Sequence, residues 1–178
     1  MFRSVFCLLS ATLFAAALQA QTTNPMIAEM KGRYTAVKNN LLKAVDKVPD
    51  DVYDFKATPE VRTIGELFMH IAQAQEGTCA RVRGEQKTLD FGAKSKADIA
   101  KAVKESFDYC DAAWDSVTDA NAFEMAGQGR GAMTKFGSLT YMTVVHNSEE
   151  YGYISVYLRL KNIVPPSSDT AGRGGRGN

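Results

Sequence analysis

The stretch FGSLTYMTVVHNSEEYGYISVYLRL, Phe136 to Leu160, decides how the chain is read. At roughly 3.6 residues per turn it is long enough for about six or seven helical turns. His146 and Glu150 stand four residues apart, so on a helix their side chains leave one face, one turn apart. Tyr153, Tyr157 and Leu160 continue that line forward, and Met142 and Leu139 continue it backward. An imidazole and a carboxylate therefore sit in the middle of what reads as the buried stripe, where an unpartnered polar group is costly. The chain has two histidines in all, and the other, His70, also lies within an apolar helical pattern. A metal ion held by His70, His146 and Glu150 inside a helix bundle satisfies all three groups at once.

Three more helical patterns precede this one. Asn24-Pro25 is a helix start, followed by Ile27, Met30, Tyr34, Val37, Leu41 and Val45 at three- and four-residue steps, ending near Val48-Pro49. Thr63-Ile64-Gly65-Glu66 fits a capping box and opens a second helix with Ile64, Leu67, Phe68 and Ile71 apolar, lasting to about Arg81 and breaking at Gly84. Ser95, with Asp98 three residues on, opens a third, whose stripe is Ile99, Val103, Phe107, Cys110, Trp114 and Val117. The segments between them, including the Gly-rich Thr118 to Lys135, read as connections. No segment sustains strand alternation. Four helices with one stripe each pack most simply as an all-α four-helix bundle.

The first twenty residues, MFRSVFCLLSATLFAAALQA, have a basic start at Arg3, an apolar run and a small residue, Ala20, at the cleavage position. That is a signal peptide pattern, too short for a membrane span. It implies a periplasmic or secreted mature chain from Gln21, with the bundle over 21–165 and a disordered Gly/Arg tail over 166–178. Lys+Arg number 21 against 20 Asp+Glu, and losing Arg3 brings the mature charge to zero. No basic field for nucleic acid is present, and no membrane contact is expected after cleavage. Cys79 and Cys110 fit neither a CxxC motif nor zinc spacing. In an oxidising compartment an even pair reads as a disulfide, the alternative being two buried thiols packing as small hydrophobes.

TIGELFMHIA in the second helix, the histidine opening HNSEEYG in the fourth, and the trailing YLRLKNIVPPS together resemble the DinB-like (YfiT-like, damage-inducible) superfamily. The resemblance spans roughly Pro25 to Ser168. It implies a bundle with an up-down-down-up course and a divalent metal held by three histidines, one on the second helix and two on the fourth. It also implies kinship with thiol-dependent transferases, such as bacillithiol transferases and mycothiol-dependent maleylpyruvate isomerase. Carried over residue by residue, the family ligands fall on His70 and His146, and the third falls on Glu150, a departure from the pattern. Two imidazoles and one carboxylate remain a recognised set for zinc, iron(II), manganese or nickel. The opposing reading is a lost metal site, with Glu150 bonded to His146 in the core. Glu149 is the neighbouring alternative ligand. Glu66 reads as the helix cap or as a supporting partner of His70.

Two functions follow. One is a metal-dependent transferase or hydrolase acting on a small molecule, without a protein nucleophile; GxSxG, HExxH and P-loop motifs are all absent from the sequence. The other is a non-catalytic secreted bundle that binds a small ligand or partner, or acts as a homodimer, with Tyr141, Tyr151, Tyr153 and Tyr157 lining a cavity or packing in the core.

Overall fold

Helix starts lie where the capping chemistry directs them. In this computed structural model, which describes residues 24–87, 92 and 95–169, helix α1 spans Pro25–Lys47, α2 Ile64–Arg83 and α3 Lys96–Asp115. Residues 1–20, read as a signal peptide, and 170–178 of the tail lie outside the described residues. Asn24 Oδ1 accepts from the Met26 amide at 3.0 Å. Thr63 Oγ1 accepts from the Glu66 amide at 3.1 Å while Glu66 Oε2 accepts from the Thr63 amide at 2.7 Å, closing the capping box. Ser95 Oγ accepts from the Asp98 amide at 3.2 Å. Gly84 ends α2 with φ +70, a left-handed conformation that side chains with a Cβ resist.

The fourth helical rod has three parts. An α-helical opening, α4 (Lys135–Leu139), leads into a π-helical stretch, Thr140–His146, and then into α5 (Asn147–Leu160). Leu139, Thr140, His146 and Asn147 all keep right-handed helical dihedrals, so the rod is continuous. Thr134 caps it by accepting from the Gly137 amide at 3.0 Å. A Cβ on Gly137 would stand 2.9 Å from that same Thr134 Oγ1, so this cap depends on glycine. Inside the π stretch, Thr143 Oγ1 donates to the Leu139 carbonyl (2.8 Å) and accepts from Trp114 Nε1 (3.0 Å), anchoring the rod to α3.

Cross-helix contacts fix the course. Lys31 pairs with Asp115, Lys38 with Asp111, and Tyr34 Oη donates to Asp111 at 2.8 Å, so α1 and α3 run antiparallel. Gln75 meets Ser106 and Cys79 meets Cys110, so α2 and α3 run parallel. His70 faces His146, and Tyr157 Oη donates to the Arg62 carbonyl at 3.2 Å, so α2 and the fourth rod run antiparallel. The course is up-down-down-up, an all-α four-helix bundle. The linker after α1 turns through a 3-10 segment, Asp50–Val52, and lends the Tyr53 and Phe55 carbonyls to the Gly65 and Ile64 amides (2.9 and 3.0 Å). Those are two of the orphan donors at the start of α2.

The first three stripes match the sequence reading closely. Ile27, Tyr34, Leu41, Val45, Ile64, Leu67, Phe68 and Ile71 are buried, as are Ile99, Val103, Phe107, Cys110, Trp114 and Val117. On the fourth rod the reading needs correction. Its buried line runs through Leu139, Thr143, Asn147, Glu150, Ile154, Tyr157 and Leu158, whereas Tyr153 and Leu160 are 49% and 57% exposed. The stripe is centred one residue beyond His146, about 100° further around the helix, which leaves Tyr153 on its margin. Of the four tyrosines, Tyr157 packs in the core, Tyr141 and Tyr153 are exposed, and Tyr151 Oη donates to Ser167 Oγ at 3.0 Å. Ser167 belongs to a 3-10 turn, Pro166–Ser168, so the tail begins docked. The Gly-rich connection also holds a short antiparallel hairpin, Met125–Ala126 with Met133–Thr134, that its sequence does not signal.

Cys79 and Cys110 form a disulfide across the parallel pair, with Cα atoms 5.3 Å apart and both residues fully buried. A closed loop with a sequence separation of 31 residues stabilises by about 3–4 kcal/mol in the chain-entropy model. Replacing both cysteines by alanine should therefore lower the denaturation midpoint by an equivalent amount with cooperative unfolding retained. Equilibrium denaturant titration checks this, and an unchanged midpoint would contradict it.

Candidate metal centre

The π stretch delivers His146, the first turn of α5 delivers Glu150, and α2 delivers His70 from across the antiparallel seam. His70 Nε2 lies 3.2 Å from His146 Nε2, and Glu150 Oε1 lies 3.5 and 3.6 Å from those two nitrogens. One ligand atom from each residue falls within 4.8 Å of the others, and this group could hold a metal ion. Donors about 2.1 Å from one ion stand roughly 3.0–3.4 Å apart in octahedral or tetrahedral arrangement. One side of the observed triangle falls in that range and the other two lie just above it.

The alternative of a core hydrogen-bonded Glu–His pair fits less well. Separations of 3.5 and 3.6 Å are too long for good hydrogen bonds. Glu150 Oε2 is buried and has no hydrogen-bond partner among the described residues. A carboxylate in that position is expensive without a cation.

Burial is graded across the site: the side chain of Glu150 is 8% exposed, His146 16% and His70 30%. The seam therefore opens toward solvent on the His70 side. Burial pushes the pKa of His70 below its ordinary value, and the charge of Arg62 acts in the same direction. Glu150 opposes this, and His146 adds a smaller lowering. The result favours neutral imidazole, the form that ligates.

The two lesser candidates have other partners. Glu66 Oε2 is bonded to the Thr63 amide within the capping box. Glu149 is exposed and accepts from Tyr153 Oη at 2.9 Å. Sequence reasoning missed the residues behind the site. His146 Nδ1 lies 3.2 Å from Asn147 Oδ1, and Asn147 Nδ2 donates to Gln75 Oε1 at 2.7 Å. Gln75 Nε2 donates to Ser106 Oγ at 2.6 Å, and Ser106 Oγ donates to the Val103 carbonyl at 2.8 Å. Asn147, Gln75 and Ser106 are fully buried. Their only sequence signal is polarity at positions where helical spacing calls for apolar residues.

No curated protein matches the chain. A solved structure described as a DinB-like protein from Bacillus cereus superimposes with a TM-score of 0.65 at 19% identity, covering 79% of this chain and 95% of that one. That likeness establishes the shared fold. The family model of the DinB superfamily matches residues 33–154, from α1 to α5 and across all three donor positions. By that match the chain belongs to the DinB superfamily.

Proposed function

We propose that this protein is an exported DinB-like protein that binds one divalent metal ion through His70, His146 and Glu150, and that it acts as a metal-dependent transferase or hydrolase. The observation that carries the reading is the convergence of His70 Nε2, His146 Nε2 and Glu150 Oε1, while the other oxygen of that carboxylate is buried with no hydrogen-bond partner among the described residues. An ion held there supplies Lewis acidity toward a small-molecule substrate or its attacking group. The chain's own part is to hold three donors and leave the His70 side open. The donor set suits zinc, nickel, manganese or iron(II). Export rests on the leader-like residues 1–20 and agrees with a buried disulfide in an oxidising compartment.

Adding each ion in turn to chelator-stripped protein tests the metal. Ligand at a hundredfold excess over Kd stabilises by about 2.7 kcal/mol, which raises the thermal midpoint of a domain this size by roughly 5–10 °C. His70→Ala, His146→Ala and Glu150→Ala should each abolish that rise, because three ligands leave no spare donor. Glu150→His should keep it and favour softer ions. If no ion moves the wild-type midpoint, or if His70→Ala responds like wild type, the reading fails. With metal bound, turnover of small thiol or ester substrates separates an enzyme from a non-catalytic binding bundle.

The His70 pKa sets an acid limit. Because the folded value lies below the unfolded 6.5, the unfolded chain binds this proton more readily. The associated stability is present above pH 6.5 and is lost as pH falls through the folded value. His70 should accordingly titrate below 6.5 in the metal-free protein when followed by NMR, and metal affinity should weaken as its proton is taken up. A His70 midpoint above 6.5 would contradict the assignment.

A further inference from the structure

We propose that Asn147, Gln75 and Ser106 are positioning residues for the metal site, a relay of fixed direction that keeps the proton of neutral His146 on Nδ1 and leaves Nε2 bare toward His70 and Glu150. The inference deepens the metal-binding reading and rests on it for its purpose, though the relay itself is a property of the metal-free chain.

The direction follows from the end of the chain of bonds. The Val103 carbonyl can only accept, so the Ser106 hydroxyl 2.8 Å away donates to it. Ser106 Oγ is then the acceptor for Gln75 at 2.6 Å, which places the Gln75 amide nitrogen on that side and its oxygen on the other. Gln75 Oε1 in turn requires a donor, and Asn147 Nδ2 supplies it at 2.7 Å. Asn147 Oδ1 is left facing His146 Nδ1 at 3.2 Å, and an amide oxygen there calls for N–H on the ring. Reversing any one link sets two acceptors or two donors against each other, and Gln75, Ser106 and Asn147 are fully buried. A ring whose Nδ1 holds the proton presents a lone pair at Nε2, the atom that joins the donor triangle. Imidazole ligands in metal sites are oriented by this kind of outer hydrogen bond, and its removal typically costs 10–100-fold in affinity.

The relay also crosses three helices. Gln75 and Ser106 lie one turn before Cys79 and Cys110 respectively, so the disulfide that ties α2 to α3 also holds the first relay contact at its distance.

Two readouts test the proposal. Long-range proton–nitrogen correlation NMR on metal-free protein at mildly alkaline pH reports the His146 tautomer, and titration with zinc reports affinity. Wild type should show His146 as the Nδ1–H form. Asn147→Leu, which removes the acceptor, should shift the ring toward Nε2–H and weaken zinc binding roughly 10–100-fold. Asn147→Asp keeps an acceptor for Nδ1 but no longer donates to Gln75 Oε1, so it should retain the Nδ1–H tautomer. Ser106→Ala touches neither His146 nor the ion, yet should produce a mixed tautomer and a smaller loss of affinity. Should Asn147→Leu fail to fold, Ser106→Ala decides the matter alone. An Nε2–H tautomer in wild type overturns the relay, as does Ser106→Ala with both readouts unmoved. If wild type binds no ion, the metal reading fails, while the tautomer arm still decides the relay.

Discussion

The register between α2 and α3 is the constraint on which the rest of this bundle depends. These helices are sequence neighbours running in the same direction, so no tight turn can join them. Each is about 30 Å long at 1.5 Å per residue, and the twelve positions from Gly84 to Ser95 span at most roughly 40 Å when extended. Register therefore rests on contacts made along the helices and just past the end of α2, where Tyr109 Oη donates to Glu85 Oε2 at 2.7 Å. Along the helices those contacts are Cys79–Cys110 and, one turn away, Gln75–Ser106. With the pair fixed, α1 docks antiparallel on α3 through Tyr34 and its lysine–aspartate pairs, and the fourth rod docks antiparallel on α2.

The seam between α2 and the fourth rod is where the fold accepts polar cost. Elsewhere the core is mainly apolar and aromatic, the buried Glu76 apart: Tyr34 stacks on Trp114, which meets Phe136 edge-on. Along this seam Gln75, Asn147 and Glu150 are buried among apolar neighbours. The amides satisfy one another, and among the described residues the carboxylate finds no hydrogen-bond partner for its second oxygen. A seam in which neutral groups are fully paired and one anionic oxygen is left over has the electrostatic character of a cation site.

Much of this was legible in the chain because it depends on local spacing. Caps at Asn24, Thr63 and Ser95, and stripes at 3.6-residue intervals, are statements about adjacent turns, and the three donors at His70, His146 and Glu150 stood out as titratable groups on apolar faces. The fourth rod was harder. Nothing in TYMTVVH distinguishes a π stretch from an α-helix, since the difference lies in which carbonyl each amide reaches rather than in residue type. The line of burial consequently falls on Asn147 rather than on His146. The relay was hidden for another reason. Gln75 and Ser106 each stand four residues before a cysteine, but the pairing that makes them neighbours exists only after α2 and α3 come to lie side by side. The hairpin at Met125–Ala126 and Met133–Thr134 is too short to leave an alternating pattern.

The π stretch has a consequence for how chains of this kind are compared. A wide turn inside a helix is an insertion that the helix absorbs without a loop. Between Thr143, tied to Trp114 on one side of the bundle, and His146, aimed at His70 on another, the residue count works as an angular setting. Removing one residue from Thr140–His146 would let ordinary α geometry resume with both flanking parts near their present orientation, whereas the same deletion from an α-helical stretch turns one part by about 100° against the other. A relative whose rod is α-helical throughout would thus have to align with a gap in mid-helix. Closing that gap for neatness would pair the wrong residues over the whole N-terminal half of the rod, while the histidine and glutamate still matched.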